Sequence, residues 1–185
     1  QTWLVAIISL LMYVPISTFG ALWGDAYIST SAGVSDEAAA WAMTMLFLGF
    51  AAGGPLLGWL SDKKSIRRLP ILLGGSLCAF SMTMLLLASW MPFWLTIFFL
   101  ISTGFFAGAQ AITFAIAVEQ HNSYCKATAV AFVNFFVMLG GFMLQPAFGA
   151  VLDVTSQTES YTSTDYRIAL VLLPISLAIG TVLCR

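Results

Sequence analysis

Most of the basic side chains of this sequence lie in one short stretch, residues 58–68, between two long apolar segments. A turn between two helices leaves main-chain carbonyls and amides unpaired at the helix ends. The carboxylate of Asp62 can accept hydrogen bonds from such amides or pair with a neighbouring guanidinium. Lys63, Arg67 and Arg68 can bind helix C-terminal ends or anionic lipid head groups. Alternatively, the stretch is only a basic loop that orients the chain in a membrane.

A second group of candidate ligand-binding residues consists of neutral polar side chains inside long apolar segments. An unpaired amide in hydrocarbon is costly, so each such side chain must face either protein or water. Hydrogen bonding to a solute and hydrogen bonding between helices both satisfy this requirement. The candidate solute contacts are Tyr13, Gln110, Asn134 and Gln145. Ser17 and Thr113 fit hydrogen bonds between helices better.

Several kinds of chemistry are disfavoured by what the apolar segments lack. They contain no Asp, Glu, His, Lys or Arg at mid-depth, so a proton relay would have no titrating group in this chain. An intramembrane serine protease needs a histidine beside its serine, and His121 lies outside the apolar segments. Cys78, Cys125 and Cys184 have no paired spacing, which disfavours a disulfide framework or a zinc site. We therefore predict no enzyme activity, no cofactor and no metal.

The elements that must carry these residues are membrane-spanning helices. Apolar residues make up 60% and charged residues 8% of the sequence, which is too few charges to cover a water-facing surface. A helix needs about 20 residues to cross the hydrocarbon core. The apolar segments that are long enough lie at residues 3–23, 38–60, 69–88, 93–118, 127–151 and 166–184. The prediction is an all-α membrane protein, with one bundle of six transmembrane helices over residues 1–185.

The charges are divided unevenly between the connecting loops. The even-numbered loops and the C-terminal end hold the basic residues Lys63, Lys64, Arg67, Arg68, Lys126 and Arg185. The odd-numbered loops hold the acidic residues Asp25, Asp36, Glu37, Asp153, Glu159 and Asp165. Basic loops stay in the cytoplasm, so both termini are predicted to be cytoplasmic, in a multi-pass protein of the bacterial inner membrane. Basic residues in one cluster give no phosphate-binding face, so no nucleic-acid partner is expected.

The stretch of residues 58–68 resembles the cytoplasmic loop motif of the major facilitator superfamily. In that motif a glycine is followed four residues later by Asp, then by Arg or Lys, a second glycine and further basic residues. The matching residues are Gly58, Asp62, Lys63 and Arg67. Ser65 replaces the second glycine and Ile66 replaces a basic residue, as in the weaker copy found in the second half of such transporters. Residues 104–110 and 134–153 also resemble this family, so the chain is identified as its helices seven to twelve.

This resemblance implies half of a major facilitator fold, built from two three-helix units of inverted topology. It also implies transport of a small solute by alternating access. The loop motif would latch one conformation, through Gly58, Asp62, Lys63, Arg67 and Arg68. The first, fourth and fifth helices would line the solute cavity, which favours Tyr13, Gln110 and Asn134 as ligand contacts. The expected partners are membrane lipid, a small solute, and the other six-helix half or a second copy of the chain.

A self-contained membrane protein is the alternative to half of a transporter. Such a protein would form a twelve-helix homodimer or act as a non-transporting membrane subunit. The sequence begins at Gln1 without a methionine, which favours a piece of a longer chain. The mass of the native protein separates these two hypotheses.

Overall fold

Six long helices make up the bundle in the computed structural model, which describes residues 1–156 and 161–184. Within these ranges each of the six is long and apolar enough to cross a membrane. They are α1 Thr2–Ala32, α2 Asp36–Lys64, α3 Arg68–Leu85, α4 Phe93–Glu119, α5 Lys126–Thr155 and α6 Ser163–Leu183. Glu159 and Arg185, which contributed to the predicted charge distribution, lie outside the described residues. The prediction of an all-helical membrane protein with six spans is confirmed.

Helix α1 is longer than predicted, because it continues past Trp23, where the expected loop begins. The added segment Gly24–Ala32 has nine helical residues, and its Tyr27 side chain is fully buried. The helix ends at Gly33, whose φ of 63° lies in the left-handed region that glycine adopts readily. The predicted loop of residues 24–37 is therefore wrong over most of its length. The other helix ends fall within a few residues of their predicted positions.

The segment predicted to be the loop between α2 and α3 is mostly helical. Helix α2 extends to Lys64, so Asp62 lies on its last turn rather than in a loop. The amide of Ser65 donates a hydrogen bond to the Asp62 carbonyl (3.1 Å), and the amide of Ile66 donates to the Ser61 carbonyl (3.1 Å). This pair of bonds ends the helix and places Ser65 in the left-handed region, with a φ of 52°. The predicted loop is thus reduced to a short turn.

The strained position of Ser65 leads to a prediction about stability. A left-handed conformation costs an L-residue roughly 1–2 kcal/mol, a cost that glycine does not carry. A Ser65→Gly substitution should therefore raise the melting temperature of the purified protein by about 2–4 °C per kcal/mol recovered. A Ser65→Ala variant is the control, because alanine keeps the Cβ and the strain. Equal melting temperatures for the two variants would show that the turn is not strained.

The helices pack in a pattern that repeats between the two halves of the chain. Helix α1 packs against α5 and α6, and α4 packs in the same way against α2 and α3. Helices α3 and α6 also contact each other. Exchanging α1–α3 with α4–α6 leaves these contacts unchanged, as two structurally related units require. Because three spans reverse the direction of a chain, the two units cross the membrane in opposite directions.

Helices α2 and α4 approach each other closely along a row of glycines. A Cβ on Gly53 would lie 1.9 Å from the carbonyl oxygen of Phe105, and a Cβ on Gly104 would lie 1.9 Å from that of Leu46. Gly49 lies against main-chain atoms of α4 in the same way. Between helices in lipid, packing replaces the hydrophobic effect as the source of association, and small residues permit this packing. The glycine row therefore holds α2 and α4 together.

Burial differs between the helices of the bundle. In the most apolar stretches of α1 and α4, 56% and 50% of the residues are buried in this chain. The corresponding share is 28% for both α2 and α5. Helices α1 and α4 therefore form the centre of the bundle, while α2 and α5 each keep a wide face that no other helix covers within residues 1–156 and 161–184.

Candidate functional site

The side chain of Arg67 joins three elements at the basic end of the bundle, the end that carries residues 63–68 and Lys126. Its Nε donates to both carboxylate oxygens of Glu119, at the end of α4 (3.1 and 3.2 Å). Its Nη1 donates to the Ser61 hydroxyl (3.1 Å) and forms an ion pair with Asp62, both on α2. Its Nη2 forms a second ion pair, with Glu119. We call these four residues the arginine network.

The arginine network keeps its central guanidinium charged, but its side chains are partly exposed to solvent. Hydrogen bonds raise the pKa of Arg67 further above its usual range, so the guanidinium stays charged. The bonds to Glu119 contribute most to this rise, and those to Asp62 come second. The Arg67 side chain is 26% exposed, while those of Asp62 and Glu119 are 65% and 52% exposed. Exposed ion pairs contribute only about 0–1 kcal/mol each to stability. The network is therefore suited to changing partners during a motion, because breaking it costs little free energy.

The other predicted motif residues lie around this network without joining it. The Lys63 ammonium lies over the Trp59 ring, 4.9 Å from its centre. The Nε of Arg68 donates to the Cys184 carbonyl at the end of α6 (2.5 Å). Beyond the neighbouring backbone of its own helix, no described atom lies within 4 Å of the place where a Cβ would stand on Gly58.

Two members of the network, Ser61 and Glu119, were not among the predicted site residues. Glu119 lies 52 residues from Arg67 in the sequence, so spacing gave no indication of their contact. The available signal was its charge, since it is an acidic residue at the end of an apolar segment on the basic side of the bundle.

A second candidate site is a groove between α1, α2 and α5, with a volume of about 250 Å³. We call it the solute groove. Its polar wall consists of Tyr13 and Ser17 on α1 and Gln145 on α5. Phe47 of α2 and Phe142 of α5 supply aromatic surface. This lining can hydrogen-bond an uncharged group and stack against an apolar one, and it contains no charged side chain.

The predicted residues Tyr13, Gln145 and Asn134 are brought to this side of the bundle. The amide nitrogen of Gln145 donates to the main-chain carbonyl of Ser17 (2.6 Å), which leaves the amide oxygen of Gln145 without a bond in the described structure. The Tyr13 ring packs edge-on against Phe50, with ring centres 5.9 Å apart. Asn134 is exposed. It lies eleven residues before Gln145, which is about three helical turns along the same face of α5.

Gln110 occupies a different environment from the other three predicted contacts. It is only 4% exposed, and its amide nitrogen donates to the hydroxyl of Ser9 on α1 (2.8 Å). The Thr113 hydroxyl also donates to Ser9 (2.8 Å), so α1 and α4 share a buried polar cluster. Ser9 lies one turn before Tyr13 on α1. A solute contact for Gln110 stays a prediction, and it requires the amide to leave Ser9.

A comparison with solved structures shows that this fold is similar to that of a known transporter. The matching structure is the inward-open conformation of the xylose transporter XylE from E. coli, with a TM-score of 0.80 and 16% sequence identity. The match covers 99% of this chain and 46% of that chain, so this chain spans about half the length of XylE. At this identity the likeness concerns the fold alone. A comparison with curated protein sequences finds no match.

The sequence itself also matches a family. The model of the Major Facilitator Superfamily matches residues 5–185, which is nearly the whole chain and includes both candidate sites. Together with the helical bundle and the half-length structural match, this confirms the resemblance inferred from residues 58–68. The chain therefore belongs to the major facilitator superfamily.

Proposed function

We propose that this chain forms the C-terminal six-helix half of a secondary transporter, which moves a small solute across the membrane by alternating access. The family and the fold indicate a transporter and not an enzyme. The observation that carries the proposal is the solute groove, where Tyr13 and Gln145 present polar groups inside an apolar bundle. In such transporters the solute binds near the middle of the membrane, between repeats.

The uncovered faces of α2 and α5 support the presence of a second six-helix unit. The solute groove lies between these two helices and α1, so a unit packed against α2 and α5 would close its open side. The groove would then become a cavity with walls from both units. We propose Tyr13, Asn134 and Gln145 as the contacts that this half supplies, with Gln110 joining them when its bond to Ser9 breaks.

The arginine network is proposed to latch one state of the transport cycle. It ties the end of α2, in the first three-helix unit, to the end of α4, in the second. A shift of the helix ends at the basic end of the bundle would separate Arg67 from Glu119 while the glycine row keeps α2 and α4 together. A contact present in one state alone biases the equilibrium between states by its own free energy.

The basic end of the bundle is proposed to face the cytoplasm of a bacterial cell, with the protein in the inner membrane. Lys63, Lys64, Arg67, Arg68 and Lys126 lie at this end. Positively charged loops are retained on the cytoplasmic side during membrane insertion. This orientation also places both ends of the chain in the cytoplasm.

Replacing Tyr13 by phenylalanine tests the solute groove. Loss of one hydrogen bond to the solute should weaken its apparent affinity roughly three- to tenfold, because such a bond contributes about 0.5–1.5 kcal/mol. The measurement is uptake by proteoliposomes that contain the full protein. The solutes would be a panel of labelled uncharged compounds beginning with xylose, the solute named for the structural neighbour.

Tyr124→Phe is the matched control, since Tyr124 is 95% exposed and lies outside the groove. Equal apparent affinities for the two variants would show that Tyr13 does not contact the solute.

The mass of the native protein tests the half-transporter proposal itself. A chain of roughly twice 185 residues is expected. A native chain of about 185 residues would favour a homodimer or a non-transporting subunit instead.

A further inference from the structure

A narrow groove opens between α2 and α3 at the basic end of the bundle, and its lining shares no residue with the solute groove or the arginine network. Its volume is about 180 Å³. Leu57 and Leu60 of α2 form one wall, and Leu69, Leu73 and Leu77 of α3 form the other. Phe106 of α4 forms the floor. We call it the leucine groove.

The leucine groove exists because α2 and α3 both pack against α4 rather than against each other. On one side, Gly53 of α2 lies against the main chain of Phe105. On the other, a Cβ on Gly74 of α3 would lie 2.4 Å from the Cβ of Ala109. Helices α2 and α3 make few direct contacts with each other. The space between them is therefore a fixed feature of the packing, with α4 at its base.

The shape and chemistry of the groove do not suit a transported solute. Apart from Lys64, the side chains that line the groove are apolar, so they offer a polar solute no hydrogen bonds. Leu69, Leu73 and Leu77 recur every four residues, so they form a stripe about 12 Å long along the axis of α3. Their exposed fractions of 48%, 53% and 39% show that the stripe faces outward. In a membrane, the hydrocarbon chains of the lipids run parallel to the leucine groove and contact its outward-facing leucines.

Lys64 is the charged residue in the lining of the groove, and it lies at the end nearest the membrane surface. Within residues 1–156 and 161–184 its ammonium makes no ion pair. The neighbouring Lys63, in contrast, lies over the ring of Trp59 and does not line the groove. A lysine stem can follow an apolar wall while its ammonium reaches the head-group layer. Lys64 therefore offers one unpaired positive charge directly above a slot for an acyl chain.

We propose that the leucine groove binds one acyl chain of an anionic phospholipid, with the lipid phosphate contacting the Lys64 ammonium. The apolar walls accept the chain, and the charge of Lys64 selects lipids whose head group carries a net negative charge. The lipid comes from the leaflet at the basic end of the bundle. This site is independent of the solute groove, and the proposal does not rest on transport activity.

The test measures lipid retained by the full protein. Protein in nanodiscs of equal parts phosphatidylglycerol and phosphatidylcholine is released into detergent, and the bound lipids are counted by native mass spectrometry. The wild-type protein should retain phosphatidylglycerol in preference to phosphatidylcholine. A Lys64→Gln substitution should reduce this preference about fivefold, since one lysine near a membrane surface contributes about 1 kcal/mol.

Lys63→Gln is the matched control, because it removes the same charge from the adjacent position outside the groove. Its lipid preference should stay close to that of the wild type. A Leu73→Trp substitution, which fills the groove, should reduce retention of both lipids. Equal losses in the Lys63 and Lys64 variants would overturn the proposal, since they would show a general surface charge effect. Undiminished retention by the Leu73→Trp variant would overturn it as well.

Discussion

A Gly53→Ala substitution is expected to destabilise the folded bundle by about 3 kcal/mol, the upper end of the usual cost of overpacking. The added Cβ would stand 1.9 Å from the carbonyl oxygen of Phe105. A main-chain atom cannot rotate away as a flexible side chain can, so α2 and α4 would have to separate. Proteins are stable by only about 5–15 kcal/mol, so this loss is a large fraction of the total. Thermal unfolding of the purified protein, followed by size-exclusion chromatography, measures it.

Gly54→Ala provides the control at the neighbouring position. The nearest atoms to a Cβ on Gly54 belong to Ala111 and Gly108, both at 3.9 Å, which is ordinary contact. Alanine also favours the helix over glycine by up to about 1 kcal/mol. Gly54→Ala should therefore leave the unfolding temperature unchanged or raise it. If both variants unfold at the same temperature, then the α2–α4 contact is looser than the structure indicates.

An Arg67→Gln substitution is expected to reduce transport about tenfold while the protein still inserts and folds. The substitution removes both ion pairs of the arginine network, each of which is partly exposed and contributes up to about 1 kcal/mol. A total of about 1–2 kcal/mol is a small loss of folding stability. The same energy confined to one state of the transport cycle changes the ratio of the two states by about 5–30-fold.

Two further variants define the cause of this effect. Arg67→Lys keeps the positive charge but lacks the planar guanidinium that contacts Asp62 and Glu119 at the same time. Its transport rate should therefore lie between those of the wild type and Arg67→Gln. Lys126→Gln removes a charge from the same end of the bundle, outside the network, and should transport at the wild-type rate. Uptake by proteoliposomes is the measurement. Wild-type rates in Arg67→Gln would show that the network has no role in the cycle.

The sequence predicts the part of the arginine network that is local in the chain. Asp62 and Arg67 are five residues apart, and a turn between two helices must bring them near each other. The contact with Glu119 depends on how α2, α3 and α4 are rotated about their axes. Hydropathy carries no information about these rotations, because every face of a membrane helix can be apolar. The long-range partner therefore needed the structure.

Hydropathy also fails where a helix leaves the hydrocarbon. The segment Gly24–Ala32 contains Asp25, so its composition is typical of a loop, yet Tyr27 packs inside the bundle and the helix continues. Membrane thickness limits the apolar segment and not the helix. For Gln110, an amide in an apolar segment correctly indicated a hydrogen bond. Its direction, toward Ser9, depends on packing against α1 that no local pattern specifies.

The buried cluster at Ser9 has a consequence for biosynthesis. The hydroxyl of Ser9 accepts from Gln110 and Thr113, which follow it by 101 and 104 residues. A ribosome adds about 5–20 residues per second, so Ser9 enters the bilayer roughly 5–20 s before these partners exist. During that interval the hydroxyl can bond to the carbonyls of its own preceding turn. Helix α1 is therefore inserted before its polar partners on α4 are made, and nascent chains shortened before Gln110 should be the ones that quality-control proteases recognise.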